Sequence, residues 1–503
     1  MVGPASTPPG SRRDERSLYP VIDFRPIAAI LGVLLAILGT TMMIPALVDL
    51  IAGKGDFLAY VASATITVFV GFSLWLAGRT SEVERLGRRQ AFVLTAASWV
   101  LLSAFAAIPF MWSQTGLTFV DAYFEAMSGL TTTGATVISN LDTRPPGILI
   151  WRAFLHWYGG IGIIVMAMAL LPMMHVGGMQ LFRAESSDKS EKLLPRAAQM
   201  AKSILGTYIV LSLACAATYA ACGMSVFDAV AYAMATISTG GFATHDASIG
   251  YFHSPAIEYA AIFFMLSGSL PFVLYLRVLA GDFSRIIANT EVRLFLGMVV
   301  FFALISTVEQ VRGGIAVGET ALRQALFNVV SIMSTTGFVA SDFTHWGPPT
   351  DALYFILLFL GACTGSTAGG MKSFRIAILG SALSQHLKRI IYPNGVFPVR
   401  YGGQPIGDDV VASVLSFAFL YLACFLMIGI AINALGFDMI TSFSASITAV
   451  ANVGPGLGPV VGPAQNFAAL PDNVIWLLSF GMLVGRLELF TVLVLFLPSF
   501  WRR

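Results

Sequence analysis

Ser128-Gly129-Leu130-Thr131-Thr132-Thr133-Gly134-Ala135-Thr136 is a small polar loop with a glycine near its centre, set in strongly apolar sequence. A short apolar, helix-like run (119–127) precedes it, and a long one begins at Ile148. The same arrangement returns three times: Ile237-Ser238-Thr239-Gly240-Gly241-Phe242, Ser334-Thr335-Thr336-Gly337-Phe338, and Ala451-Asn452-Val453-Gly454-Pro455-Gly456-Leu457-Gly458. A single Thr-Thr-Gly is a tight turn between helices. Four, each after a short helix and at the same point of a repeat, describe the plan of a four-fold ion pore.

The surrounding sequence is that of a membrane protein. The chain has 503 residues, of which 56% are hydrophobic and 11% charged. Soluble domains carry about 25% charged residues. Mean hydropathy is +0.79. A bilayer core of about 30 Å needs roughly 20 apolar helical residues. Ten runs meet or approach that length: 27–51, 57–77, 91–112, 148–174, 204–222, 259–279, 292–311, 353–379, 410–435 and 474–497. Four shorter runs, 119–130, 226–236, 322–333 and 437–450, precede the glycine loops. Helix, half-helix, loop, helix is therefore the repeat, and the first two spans stand outside it. The expected fold is an all-α polytopic membrane protein with four pseudo-symmetric repeats around one pore and two leading helices. Its segments are a cytoplasmic tail (1–26), the leading pair (27–90) and repeats at 91–200, 201–291, 292–408 and 409–503.

Lysine and arginine orient the chain, because they accumulate on the cytoplasmic side. With the N-terminus inside, 23 of the 29 fall in cytoplasmic segments. Lys54, Arg144, Arg152, Arg312 and Arg323 fall outside, and Arg486 lies within a span. Both termini are then cytoplasmic and all four loops lie toward the outer side. The tail has no signal-peptide cleavage pattern and is expected to be retained. Cys215, Cys222, Cys363 and Cys424 sit in apolar runs without metal-ligand spacing, as small buried thiols do. No nucleotide loop and no nucleophile–base set is evident, so an enzyme is not expected. No organic cofactor and no nucleic-acid partner is expected either.

The loops suit a cation. Irregular backbone at membrane depth is tolerated where it lines a polar path. An inward-pointing half-helix presents its partial negative C-terminal end to the membrane centre. Glycine allows successive carbonyls to turn toward an axis, and rings of carbonyls replace the hydration shell of potassium. The candidate ion-binding residues are Thr132, Thr133, Gly134, Ser238, Thr239, Gly240, Thr335, Thr336, Gly337, Asn452, Val453 and Gly454. No carboxylate lies in the loop cores, so neutral dipoles would select the ion.

These residues carry a resemblance. The last loop (452–458), the glycine-rich interruption Gly361-Ala362-Cys363-Thr364-Gly365-Ser366-Thr367-Ala368-Gly369-Gly370-Met371-Lys372, the linker Lys388-Arg389-Ile390-Ile391-Tyr392-Pro393-Asn394 with Pro398-Val399-Arg400, and Gly485-Arg486 together resemble the Trk/Ktr/HKT superfamily of potassium transporters. Within it, the chain is similar to the TrkH/TrkG branch of bacterial Trk uptake proteins. The leading helix pair favours Trk over the eight-helix Ktr form. The resemblance implies potassium as the transported ion, one pore per subunit and a homodimer in the bacterial inner membrane. It also implies a cytosolic ring of nucleotide-binding TrkA-type subunits. The filter glycines it implies are Gly134, Gly240, Gly337 and Gly454. Glycine at the first of these, where sodium-permeable plant members have serine, favours potassium. A potassium-translocating subunit of an ATP-driven pump and a cation-coupled secondary transporter are the alternatives. The pump predicts an ATPase partner. The transporter predicts inverted repeats, whereas these repeats share one topology.

Below the filter, the small polar run from Gly361 to Gly370 is expected to open its span into an intramembrane loop. Small-residue helix packing is the alternative. With the resemblance, Gly361, Thr364, Gly365, Ser366, Thr367, Gly369, Gly370 and Arg486 form a candidate gate. An arginine at bilayer depth is by default functional, and Glu488, two residues on, lies on nearly the opposite face of a helix. Asp121, Asp228 and Asp438 stand where half-helices start, and capping accounts for them. Glu125 fits either the outer vestibule or a half-helix hydrogen bond, and His156 a packed polar position. The basic segments 183–202 and 385–400 are candidate docking sites, although positive-inside bias explains most of their charge.

Overall fold

The computed structural model describes residues 22–79, 86–169, 193–279, 281–282 and 284–502. The tail to residue 21 and the first half of the 183–202 segment lie outside the described residues. Among the described residues, seven helices are long and apolar enough to cross a membrane: Arg25–Ile51, Phe57–Gly78, Arg88–Trp112, Pro146–Ile164, Ala201–Ala221, Thr290–Arg312 and Asp408–Ala434. Two further pairs reach span length but bend sharply, Pro255–Ser269 with Phe272–Val278 by 99° and Asp472–Arg486 with Phe490–Phe496 by 108°. The eighth expected span is Pro348–Leu357 and Ser373–Ile391 with non-helical backbone between.

The half-helices are Phe119–Leu130, Val226–Ile237, Gly318–Met333 and Met439–Ala451. Local sequence starts them. Thr118 and Ser225 cap the first two by accepting from the amides of Asp121 and Asp228, and each hydroxyl donates back to that aspartate. Asp438 caps the fourth through the Thr441 amide. Such caps satisfy amides that have no partner within the helix.

Two expected spans are not straight. The run 259–279 breaks at Leu270-Pro271, since proline supplies no amide and its ring clashes with the preceding turn. The run 474–497 breaks after Arg486, where Glu488 takes left-handed backbone (φ 59°). Glu488 there meets Arg375 of the third repeat in a buried ion pair. The linker after Ile391 carries a small antiparallel hairpin, Arg400–Tyr401 with Gln404–Pro405, which the all-α expectation did not contain.

The leading pair is packed on the pore repeats. Its two helices cross closely enough that a Cβ on Gly32 would fall 2.4 Å from the carbonyl oxygen of Gly71. Buried Asp49 accepts from the amide of Gly147 at 2.6 Å, at the start of the span following the first loop.

Candidate functional site

The four loops share one backbone plan. Each has two left-handed residues, two positions apart: Thr132 and Gly134 (φ 51° and 86°), Thr239 and Gly241 (53° and 85°), Thr335 and Gly337 (55° and 77°), Asn452 and Gly454 (57° and 109°). The residue between each pair donates its amide back to its half-helix: Thr133 to Ser128 O at 2.9 Å, Gly240 to Ala235 O at 2.8 Å, Thr336 to Ser331 O at 2.9 Å and Val453 to Thr448 O at 3.0 Å. This register corrects one expectation. The counterpart of Gly134, Gly337 and Gly454 is Gly241, and Gly240 is the counterpart of Thr133, Thr336 and Val453. Aligning Gly241-Phe242 with Gly337-Phe338 reveals the shift in the sequence.

The loops close on one another in a circuit. A Cβ on Gly134 would stand 2.2 Å from Gly240 O, on Gly241 1.9 Å from Thr336 O, on Gly337 2.1 Å from Val453 O, and on Gly454 2.8 Å from Thr133 O. Each glycine abuts the carbonyl of the next repeat, and the fourth returns to the first. Only glycine combines that approach with positive φ. The result is a ring of four carbonyls contributed by four repeats, beside the C-terminal ends of four half-helices, whose partial charge is negative.

Side chains hold the loops from behind. Thr131 and Thr133 join hydroxyls at 2.8 Å, and Ser334 and Thr336 repeat the contact at 2.7 Å. Asn452 donates to Thr133 Oγ1 at 2.9 Å and to Met482 O at 3.0 Å, linking the fourth loop to the first. Ser238 donates back to Met234 O at 2.7 Å and takes no part in the circuit. Glu125 is fully buried and receives Thr136 Oγ1, the Val137 amide and Arg152 Nε (2.7 Å). It braces the first loop from behind. Arg152 stands near the start of the span that follows the first loop. It is 1% exposed, donates to Ala243 O at 2.8 Å and lies 4.0 Å from the Phe242 ring centroid. His156 bridges Gly129 O and the amide of Phe242.

The run from Gly361 to Gly370 is an intramembrane excursion closed at its neck, where Leu360 pairs with Met371 and the Gly361 amide donates to Met371 O at 2.9 Å. It locks into the break of the sixth span. Phe272 donates to Gly365 O at 2.9 Å, and Cys363 and Thr367 donate to Ser269 O and Gly268 O. Pro271 thus ends one helix where the excursion needs partners. The tip also touches the glycine loops: Thr367 Oγ1 lies 3.0 Å from Ile237 O and 3.2 Å from Thr239 Oγ1, and the Gly369 amide donates to Thr335 Oγ1 at 2.6 Å. Glu291, buried at the start of Thr290–Arg312, receives the Thr364 amide at 2.6 Å and its hydroxyl at 3.0 Å. Sequence reasoning missed Glu291. Its signal was an acidic residue two after the cap Asn289, in the short polar stretch Thr290-Glu291-Val292-Arg293 that opens an apolar run.

Arg486 donates to Thr367 O at 2.9 Å and is 3% exposed. Glu488 pairs with Arg375 instead, so among the described residues no carboxylate pairs with Arg486. A cavity of about 30 Å³ lies between Arg486, Gly485 and the excursion residues Thr364, Gly369, Gly370 and Lys372. Lys372 donates back to Ala368 O across the tip. The site therefore stacks a carbonyl circuit against a polar excursion and two basic side chains.

A family model described as a cation transport protein, TrkH, matches residues 59–503. The Trk system potassium uptake protein TrkI of Halomonas elongata is 42% identical over 479 residues, covering 95% of this chain and 97% of that protein. The Trk system potassium uptake protein TrkH of Escherichia coli K12 is 39% identical over 484 residues, covering 95% and 99%. The crystal structure of the potassium transporter TrkH from Vibrio parahaemolyticus superposes with a TM-score of 0.88 at 36% identity, over 96% of this chain and 100% of that one.

Proposed function

Since this chain belongs to the TrkH family of cation transport proteins, we propose that it takes up potassium across a bacterial inner membrane through the four-loop circuit. The observation carrying this reading is the ring of carbonyls from Thr133, Gly240, Thr336 and Val453, each set by the glycine of the preceding repeat. Oxygen dipoles at fixed positions compensate a large monovalent cation for its lost water, and four half-helix ends add negative potential. Without a carboxylate in the loops, no site binds an ion so tightly that it cannot leave.

The excursion and Arg486 supply the gate. Arg486, which among the described residues has no carboxylate partner, places a positive charge in the path below the ring, and an ion leaving the ring must pass it. Thr367 and Gly369 hydrogen-bond the plug to two of the four loops, which is what a shut gate requires. The Ser373–Ile391 helix leaves the plug directly and ends in the 385–400 linker, whose Lys388 and Arg389 are exposed. A cytosolic nucleotide-binding ring of the TrkA type, acting on the linkers of a homodimer, would draw the plug out along that helix.

Rubidium and sodium uptake into proteoliposomes, with and without such a partner, tests the proposal. Rubidium uptake that exceeds sodium uptake and rises with the partner supports it. Equal uptake of the two ions refutes the selective ring. Regulation that persists after charge reversal across 385–400 removes that linker as the docking surface.

A further inference from the structure

The second repeat departs from the other three at one position of the ring. Thr133, Thr336 and Val453 carry side chains there, and Gly240 does not. Gly240 has no positive φ, so conformation does not demand glycine. Space does. A Cβ on Gly240 would lie 2.4 Å from Cγ of His156 and 2.6 Å from its Cδ2. The imidazole of the first repeat fills the volume that the second repeat leaves open.

His156 is fully buried and both ring nitrogens are engaged. Nδ1 lies 2.8 Å from the carbonyl oxygen of Gly129, which can only accept, so Nδ1 carries the proton. Nε2 lies 3.0 Å from the amide of Phe242, which can only donate, so Nε2 presents its lone pair. The two partners fix one neutral tautomer. Gly129 belongs to the end of the first half-helix, and Phe242 follows Gly241 of the second loop. The ring also stacks on Phe242 with centroids 4.1 Å apart.

We propose that His156 is a positioning residue for ion selectivity, setting the Gly240 carbonyl by acting as the side chain that the second loop lacks. It pins Phe242 by hydrogen bond and stacking on one side of Gly240-Gly241 and presses on Gly240 itself. Packed this closely, the imidazole limits how far the Gly240 backbone can shift. This rests on the reading of the four-loop circuit as the ion-selective ring.

The test needs a readout that does not depend on gate opening. Ions that bind the native chain stabilise it in proportion to RT ln(1 + [L]/Kd), so thermal-shift titration of the purified full chain with potassium chloride and with sodium chloride gives a ratio of apparent affinities. His156→Ala removes packing and both hydrogen bonds. His156→Leu keeps volume without polar atoms. His156→Gln keeps one donor and one acceptor at similar separation. The potassium-to-sodium ratio should fall by roughly fivefold in the Ala and Leu variants, the size of one hydrogen bond at the ring, and remain near native in Gln. If the Ala variant does not fold, the Gln–Leu comparison decides. A Leu variant as selective as the native chain, beside a Gly337→Ala variant that has lost selectivity, overturns the role of His156 alone. A Gly337→Ala variant with native selectivity overturns the ring reading, and the inference with it.

Discussion

Replacing Gly241 by alanine should damage the ring at a residue that is not its own. The new Cβ would stand 1.9 Å from the carbonyl oxygen of Thr336, in the next repeat. Ordinary carbon–oxygen contact begins near 3.4 Å, so that oxygen must retreat by about 1.5 Å unless the loop itself shifts. Alanine at φ 85° adds roughly 1–2 kcal/mol of backbone strain. A displacement of that size takes one of four oxygens out of contact with a bound ion. A loss of about 1.4 kcal/mol in discrimination is tenfold in the ratio of rubidium to sodium uptake. The assay is initial uptake of both ions into proteoliposomes at matched protein density. Gly206→Ala is the control, because a Cβ there meets nothing within 4 Å and lies in a helix, where alanine is favoured. A well-assembled Gly241→Ala chain that kept its native ratio would refute the circuit as the selective element.

Arg486→Ala should raise basal rubidium uptake severalfold and reduce dependence on a cytosolic partner while leaving the ion ratio near native; flat uptake in a folded variant would move the gate elsewhere. Glu488→Ala removes one buried partner from Arg375 and should cost about 3 kcal/mol, read as a lower Tm in detergent; an unchanged Tm would mean the bend after Arg486 does not depend on the pair. In the turn after the first loop, burial acts to raise the Asp142 carboxyl, but hydrogen bonds from His245 and the Asp246 amide outweigh it and hold the group below the usual carboxylate range. Its stabilisation is therefore present above the unfolded carboxyl pKa and is lost as pH falls through the folded value. Acidification from about pH 5 to about pH 3 should lower the Tm of the native chain more than that of Asp142→Asn, and parallel losses in both would exclude the contribution.

The repeat was legible because it rests on composition and periodicity. A half-helix shorter than a bilayer, followed by a glycine and then a long apolar run, leaves a mark each time it occurs. The excursion at 361–370 was legible for the same reason, since small polar residues interrupt an apolar span. Register was not. Gly240 and Gly241 are adjacent and identical in type, and which one turns left-handed depends on the carbonyl of Thr336 from a different repeat. The bend at Pro271 was open to inspection but hidden by apolar residues on both sides. Long-range partners left still less trace. Nothing near Arg152 announces that Glu125 will reach it, and Glu488 reads as a neighbour of Arg486 until the chain turns toward Arg375.

The head-to-tail closure of the loops has a consequence for how such a ring can change. In a channel built from four identical chains, one substitution strikes every quadrant together. Here each quadrant has its own codons, and the oxygen it contributes is seated by the quadrant before it. A change at Gly134 is felt at Gly240, and a change at Gly454 is felt at Thr133. The geometry can therefore be adjusted a quarter at a time, with the effect always displaced one step around the axis. The unlike residues at one level, two threonines, a glycine and a valine, are what a ring that drifts by quarters would accumulate while its backbone stays four-fold.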